Sequence, residues 1–193
     1  MNFLAHFYLS GTSPSLLLGN FLGDFVKGKR YLEYDSAIAK GILLHREIDS
    51  YTDGHEMVHQ SKSKLVPKYG HYSGVIVDMF YDHLLAVNWS KYSSVSLARF
   101  AQFSYKVLHR GVVMLPANAN KIMYYMSRNN WLVHYAELEG LATALRGIAQ
   151  RTKFESHMED AIEDLKNYYD IFEKEFNAYF PLLIEHTASY RKK

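Results

Sequence analysis

An all-α fold in a single domain is what this chain predicts, and three observations carry that expectation. Apolar residues recur at helical spacing nearly throughout, while runs of strict alternation rich in β-branched residues are short and rare. Only four prolines and eleven glycines interrupt 193 residues, with neither a low-complexity linker nor a clear internal repeat to mark a boundary. Hydrophobic content of 48%, with 15% aromatic, is ample for one continuous core. Residues 1–193 are therefore expected to form one compact helical bundle.

The elements follow in order. A short first helix is expected over Phe3 to Leu9, and Ser10-Gly-Thr-Ser-Pro14 breaks it, with Ser13 capping the next helix and Pro14 in its first turn. That second helix should run to about Lys27 and end at Gly28; the small glycines within it would let it approach others closely. Asp35 or Ser36 can cap a third, through Ile38, Ile42, Leu43 and Ile48. A fourth, around Glu56 to Val66, should stop near Pro67. Ser73 opens a fifth with a strongly apolar surface, Ser93 or Ser94 a sixth reaching Val113, and Pro116 a seventh. Segments 138–149 and 154–179 complete the set. In the last, Phe154, Met158, Ala161, Leu165, Tyr168, Phe172, Phe176 and Tyr179 alternate steps of four and three, the pattern of a buried scaffold stripe.

Composition excludes several chemistries. There is no cysteine, so disulfides, thiolate ligands and a cysteine nucleophile are ruled out, in keeping with a reducing cytoplasm. The apolar start Met1-Asn-Phe-Leu-Ala-His-Phe-Tyr-Leu9 lacks the basic leader of a secretory signal, and no apolar run is long enough to span a bilayer. A soluble, cytoplasmic protein is expected. With 22 basic against 20 acidic residues the net charge is only +2, which gives no general drive toward nucleic acid. Basic residues cluster locally at Lys27, Lys29 and Arg30, at Lys62, Lys64 and Lys68, and at Arg191-Lys192-Lys193; each cluster is either a solvated surface or a landing place for an anionic partner. Serine-nucleophile motifs and phosphate-cradling glycine loops are missing.

What remains is a set of acids and imidazoles inside apolar helices. His45, Asp49 and Asp53 recur every four residues, and a second apolar segment carries Asp78, Asp82 and His83. Positions four apart stack on one helix face, so two such columns facing each other would make a divalent-metal pocket. Burying such groups without partners costs several kcal/mol each, and a cation can compensate it. The competing account is a hydrogen-bonded core histidine and an internal salt-bridge network. Arg46, offset by roughly 100° from His45, would line the rim and bind a phosphate. Asp24 is another carboxylate among apolar neighbours, with Asn20 one turn before it, and Asn2 and His6 stand four apart on the first helix. His55-Glu-Met-Val-His59 matches a zinc-protease pattern, but no convincing strand offers a substrate edge, and chance spacing explains it better.

Four blocks in order, Met1-Asn-Phe-Leu-Ala-His6, Leu18-Gly-Asn-Phe-Leu-Gly-Asp24-Phe-Val-Lys-Gly28, Gly41-Ile-Leu-Leu-His45-Arg-Glu-Ile-Asp49 with Thr52-Asp53, and Asp78-Met-Phe-Tyr-Asp82-His83, together with Trp89 and Trp131, resemble the acyl carrier protein phosphodiesterase family. The resemblance spans nearly the whole chain. It implies a cytoplasmic, metal-dependent hydrolase, distantly similar in its all-helical design to the HD phosphohydrolases, that removes 4′-phosphopantetheine from holo-acyl carrier protein. Manganese is the implied metal, with magnesium a substitute. Carried onto this chain, Asp24, His45, Asp49 and Asp82 become the expected metal ligands and Asp24, His83 and Arg46 the catalytic set, with Asp78, Asp53 and His6 in reserve. Asp24 would orient or deprotonate the attacking water, while Arg46 and Lys27 offset charge on the phosphate. Because acyl carrier proteins are small and acidic, Lys27, Lys29 and Arg30 are the expected docking cations. The chain departs from the family pattern at Thr52-Asp-Gly-His-Glu56, where many relatives have proline after the histidine. Two other functions remain open on the residues: a phosphohydrolase acting on a nucleotide or another small phosphodiester, and a non-catalytic helical interaction module.

Overall fold

The computed structural model describes residues 1–192, and every regular element among them is helical. Lys193, in the basic chain end, lies outside the described residues. Helix α1 (Phe3–Leu9) and α2 (Pro14–Leu22) meet at the expected break, where the Ser13 hydroxyl accepts from the Leu16 amide at 3.3 Å and Pro14 fills the first turn. The second helix ends at Leu22, five residues short of the expected Lys27. Gly23 caps it, and the Phe25 and Val26 amides fold back onto the Leu22 carbonyl. This early exit turns Asp24 out of the helix.

Helix α3 (Ser36–Gly54) packs on α2 in the most extensive helix pairing among the described residues. Glycines make that possible: a Cβ on Gly19 would lie 2.1 Å from the Ile38 carbonyl oxygen, and one on Gly41 would lie 2.5 Å from that of Leu16. Helix α4 (Glu56–Tyr69) runs through Pro67, which the sequence places at its end. His55 is its N-cap, in extended backbone, with the ring nitrogen accepting from the Met57 amide at 3.2 Å. The ring is thereby committed to the cap, and neither His55 nor His59 belongs to the cluster of three metal-ligating groups found among the described residues. Glu56 occupies the first helical position, which is also where proline is best tolerated, so the departure from the family pattern leaves the turn undisturbed.

Helix α5 (Ser73–Val87) is the central rod. Ile76, Val77, Met79, Phe80, Tyr81, Leu84 and Leu85 are fully buried, as an element apolar almost all round must be. It packs against α1, α4, α10 (Leu138–Ala149) and α12 (Tyr169–Lys192). Between them lie α6 (Trp89–Tyr92), α7 (Leu97–Arg110), α8 (Ala117–Arg128), α9 (Trp131–His134) and α11 (Ala161–Asn167). The expected 154–179 helix is broken: Tyr168 leaves helical geometry at φ −120°, and the chain restarts as α12. The start of the expected helix also fails to form, since regular α-helix begins only at Ala161, so Phe154 and Tyr168 are exposed while Leu165, Phe172, Phe176 and Tyr179 hold the core.

Candidate metal centre

Three of the first four segments converge on one polar cluster. Helix α1 brings His6, α2 brings Asn20 and, just beyond its end, Asp24, and α3 brings His45 and Asp49. His45 and Asp49 are one turn apart, with His45 Nε2 3.1 Å from Asp49 Oδ2. His6 Nε2 lies 3.2 Å from Asp49 Oδ1, so the two imidazoles address the two oxygens of one carboxylate. The rings stack with centroids 4.2 Å apart. Asp24 Oδ1 lies 3.6 Å from His45 Nε2.

Asn20 organises the pair. Its amide nitrogen donates to the His6 carbonyl at 2.8 Å and to the Ser10 hydroxyl at 3.0 Å, which orients the amide oxygen toward the rings. That oxygen then accepts from His6 Nδ1 at 2.8 Å and from His45 Nδ1 at 3.2 Å. With Nδ1 of each ring committed as a donor, each Nε2 is left with a lone pair that faces Asp49 and, for His6, also the Met1 carbonyl oxygen at 3.1 Å. Burial, followed by the neighbouring His45, pushes the His6 pKa down, so its ring is held neutral. Two lone pairs and a carboxylate thus face one another, and their ligand atoms all lie within 4.8 Å of each other. This is a donor set that a divalent cation fits. The far nitrogen of each imidazole is already fixed by a second partner, as metal-bound histidines require.

The cluster opens into a cleft of about 200 Å³ lined by Met1, Asp24, His45, Asp49, Thr52, Asp53 and Asp78. Exposure grades across it: the imidazoles are buried, while Asp24 and Asp49 are 48% and 43% exposed. The Met1 amine lies 2.8 Å from Asp78 Oδ1; burial lowers its pKa, but Asp78 and then Asp49 override that and raise it. Asp53, at the far side, pairs with Lys62 at 2.7 Å.

Arg46, beside His45 on α3, donates to the Val26 carbonyl at 3.0 Å and lies over the Tyr31 ring. Lys27, Lys29 and Arg30 are all exposed on the loop that leaves Asp24, Arg30 being paired with Glu33 at 3.2 Å.

Two of the expected site residues lie elsewhere. Asp82 is fully buried, and its oxygens accept from the Leu4 and Ala5 amides at 2.7 and 3.1 Å. It clamps the N-terminus of α1 to α5, so two amides and the nearby Met1 ammonium, rather than a metal ion, offset its charge. Even so, burial pushes its carboxyl up to about 7, against the pull of the two amides. His83 points to the other side of the bundle, with Nδ1 2.7 Å from the Tyr135 carbonyl oxygen and Nε2 3.3 Å from the Tyr169 hydroxyl. The sequence marks Asn20 only as a polar residue one turn before Asp24, without showing that it holds both imidazoles. Its one available signal was an amide buried four residues before Asp24 in an apolar helix.

The fold and cluster define a class: an all-helical protein with a half-open histidine–carboxylate centre suited to a divalent cation. Comparison with known proteins makes the class specific. The family model described as acyl carrier protein phosphodiesterase matches residues 1–183. The acyl carrier protein phosphodiesterase of Photorhabdus laumondii is 31% identical over 186 residues, covering 96% of this chain and 94% of that protein. That of Yersinia enterocolitica is 32% identical over 185 residues, covering 95% and 96%. The chain belongs to the acyl carrier protein phosphodiesterase family. No solved structure matches it, and none of its described helices is long and apolar enough to cross a membrane.

Proposed function

We propose that this protein hydrolyses the phosphodiester joining 4′-phosphopantetheine to the serine of holo-acyl carrier protein, using a divalent cation held by His6, His45 and Asp49 with Asp24 at the mouth. The observation that carries the reading is the pair of buried imidazoles tied to one asparagine and turned toward one carboxylate, in a chain of this family. Mixed nitrogen and oxygen donors suit manganese better than magnesium, which favours an all-oxygen shell. When bound, such a cation supplies Lewis-acid charge at a phosphoryl oxygen and lowers the pKa of water.

The chain's own residues do the rest. Asn20 holds both rings with Nε2 outward, and Asp49 supplies the negative charge between them. Asp24, half-exposed and 3.6 Å from His45 Nε2, accepts the proton of the attacking water. As the water oxygen bonds to phosphorus, the bond to the serine oxygen breaks, and that oxygen takes a proton from solvent at the open cleft. Arg46, beside His45 on α3, and Lys27 and Lys29, on the loop that follows Asp24, would offset the phosphate charge. The bond to be cut lies at the carrier's own surface, which a shallow, half-open cleft can reach. The setting for this reaction is the cytoplasm.

Mass spectrometry of holo-acyl carrier protein incubated with the protein and Mn²⁺ tests the proposal. Loss of the phosphopantetheine mass, abolished by Asp24→Asn and by Asp49→Asn, is the expected result. An unchanged carrier mass with the unsubstituted, Mn²⁺-loaded protein would overturn it.

A further inference from the structure

The charge of the chain is segregated in a way that its net +2 conceals. Between Asp82 and Glu137 there is no aspartate or glutamate, yet the stretch carries Lys91, Arg99, Lys106, Arg110, Lys121 and Arg128. The remainder of the chain is therefore acidic on balance. All six cations are exposed, and among the described residues none forms an ion pair.

Geometry concentrates them. On α7, Arg99, Phe103, Lys106 and Arg110 follow steps of four, three and four, which set them on one helix face, and each is exposed. On α8, Lys121, Tyr125 and Arg128 repeat that spacing, again exposed. The His109 ring and the Ser127 hydroxyl tie the two helices together at 3.1 Å. At the bend between them stand Val112, Val113 and Met114, with Val113 88% exposed. A solvated charged face would not carry an apolar tip of this kind, whereas an interface has an apolar centre and a polar rim.

The tip is also anchored on α2, the helix that supplies Asn20 to the metal centre. Gly111, the residue before it, packs so tightly on Leu18 of α2 that an added Cβ would lie 2.6 Å from a leucine methyl. Leu18 lies two residues before Asn20, so the tip packs on the face of α2 roughly opposite the one that holds the two imidazoles.

We infer that the α7–α8 hairpin, with its basic stripes and Val112–Met114 tip, is the docking surface for the acidic face of the carrier protein, supplementing the short Lys27–Arg30 loop. The inference rests on the proposed carrier substrate, and an acidic protein surface with an apolar contact is the occupant that both the charge and the tip fit.

The test is fluorescence anisotropy of labelled apo-acyl carrier protein, whose binding does not depend on turnover, combined with steady-state release of phosphopantetheine from the holo form. Lys106→Glu/Lys121→Glu should weaken apo-carrier binding and raise KM about ten-fold or more at low salt, with kcat retained and a flatter salt dependence. Val113→Ser should weaken binding at low and high salt alike, with thermal melting unchanged because the side chain is exposed. Affinity and KM within two-fold of the parent in both variants would overturn the docking surface while leaving the hydrolase reading intact. Carrier binding without phosphopantetheine release would sink the hydrolase reading and keep the surface. If the hairpin variants lost binding only to an oligonucleotide or to anionic vesicles, the assignment to a protein partner would be wrong.

Discussion

Gly23→Ala should disable the metal centre through one methyl group. The backbone at Gly23 is ordinary right-handed helix, φ −55° and ψ −34°, so alanine introduces no conformational strain. Its Cβ, however, would lie 2.2 Å from Cγ, 2.4 Å from Cβ and 2.6 Å from Cδ2 of His45. Carbon atoms need about 3.5 Å, so roughly 1 Å of movement is required. Helix α3 has little room to supply it, because Gly19 and Gly41 already bring its backbone against that of α2. The ring must move instead. Metal ligands tolerate about 0.2 Å, and a misplacement of about 1 Å in a catalytic group costs on the order of 100-fold in rate.

Overpacking should cost about 1–3 kcal/mol, lowering the melting temperature by about 2–4 °C for each kcal/mol in a protein of this size. Titration calorimetry with Mn²⁺ and the carrier mass assay read the function, and scanning calorimetry reads the fold. The expected result is a folded protein with Mn²⁺ affinity reduced at least ten-fold and turnover reduced about 100-fold. A variant that melts a few degrees lower but binds Mn²⁺ and releases phosphopantetheine within two-fold of the parent would refute the role given to His45.

Other perturbations separate scaffold from site. Asn20→Leu keeps the volume but removes the acceptor of both rings, and Mn²⁺ affinity measured by calorimetry should fall about 10–100-fold. Asp82→Ala leaves the buried Leu4 and Ala5 amides unpaired at about 1–3 kcal/mol each, so chemical denaturation should show a loss of about 2–6 kcal/mol with the bound-metal stoichiometry intact. A stable Asp82→Ala that fails to bind Mn²⁺ would return Asp82 to the ligand set. Asp82 also predicts a pH dependence. Its folded-state pKa of about 7 lies above the ordinary carboxyl value of 3.8, so stability tied to the uncharged form is fully present below pH 4. It is lost as the pH rises through 7, by up to about 4 kcal/mol. Asp82→Asn should flatten that slope in denaturation curves between pH 4 and 8, and an unchanged slope would count against a raised carboxyl.

How far the site was legible follows from what its residues compensate. His45, Asp49 and Asp24 announced themselves as polar groups in apolar helices, and the four-residue spacing of the first two put them on one face. The same argument singled out Asp82, correctly as a buried acid in need of compensation. What the sequence could not tell was that the compensation comes from backbone amides 77 and 78 residues away, because amides leave no compositional trace. His83 was drawn in by the family block that it shares with Asp82, yet neighbours on a helix point about 100° apart. The boundaries that slipped have similar causes. Helix α2 stops early at Gly23, without a proline to mark the place, and the break at Tyr168 carries neither glycine nor proline. Helix α4 runs past Pro67 to Tyr69, beyond the stop that proline signals.

The centre's construction bears on which substrates it can admit. A small phosphodiester could enter a closed cavity between helices, where burial would strengthen every electrostatic contact. Here the nitrogen donors are buried and rigid, while the two carboxylates nearest them stand almost half in solvent. Helix α2 creates that gradient by ending at Leu22 and releasing Asp24 to the rim, and the next residues continue directly into the Lys27–Arg30 loop. One chain segment thus joins the imidazole clamp, the proposed proton acceptor and the proposed docking cations. A phosphate fixed to the surface of another protein can be reached only by a centre whose reactive groups lie at its edge. The early end of α2, which the helical pattern of the sequence did not foretell, is what puts Asp24 there.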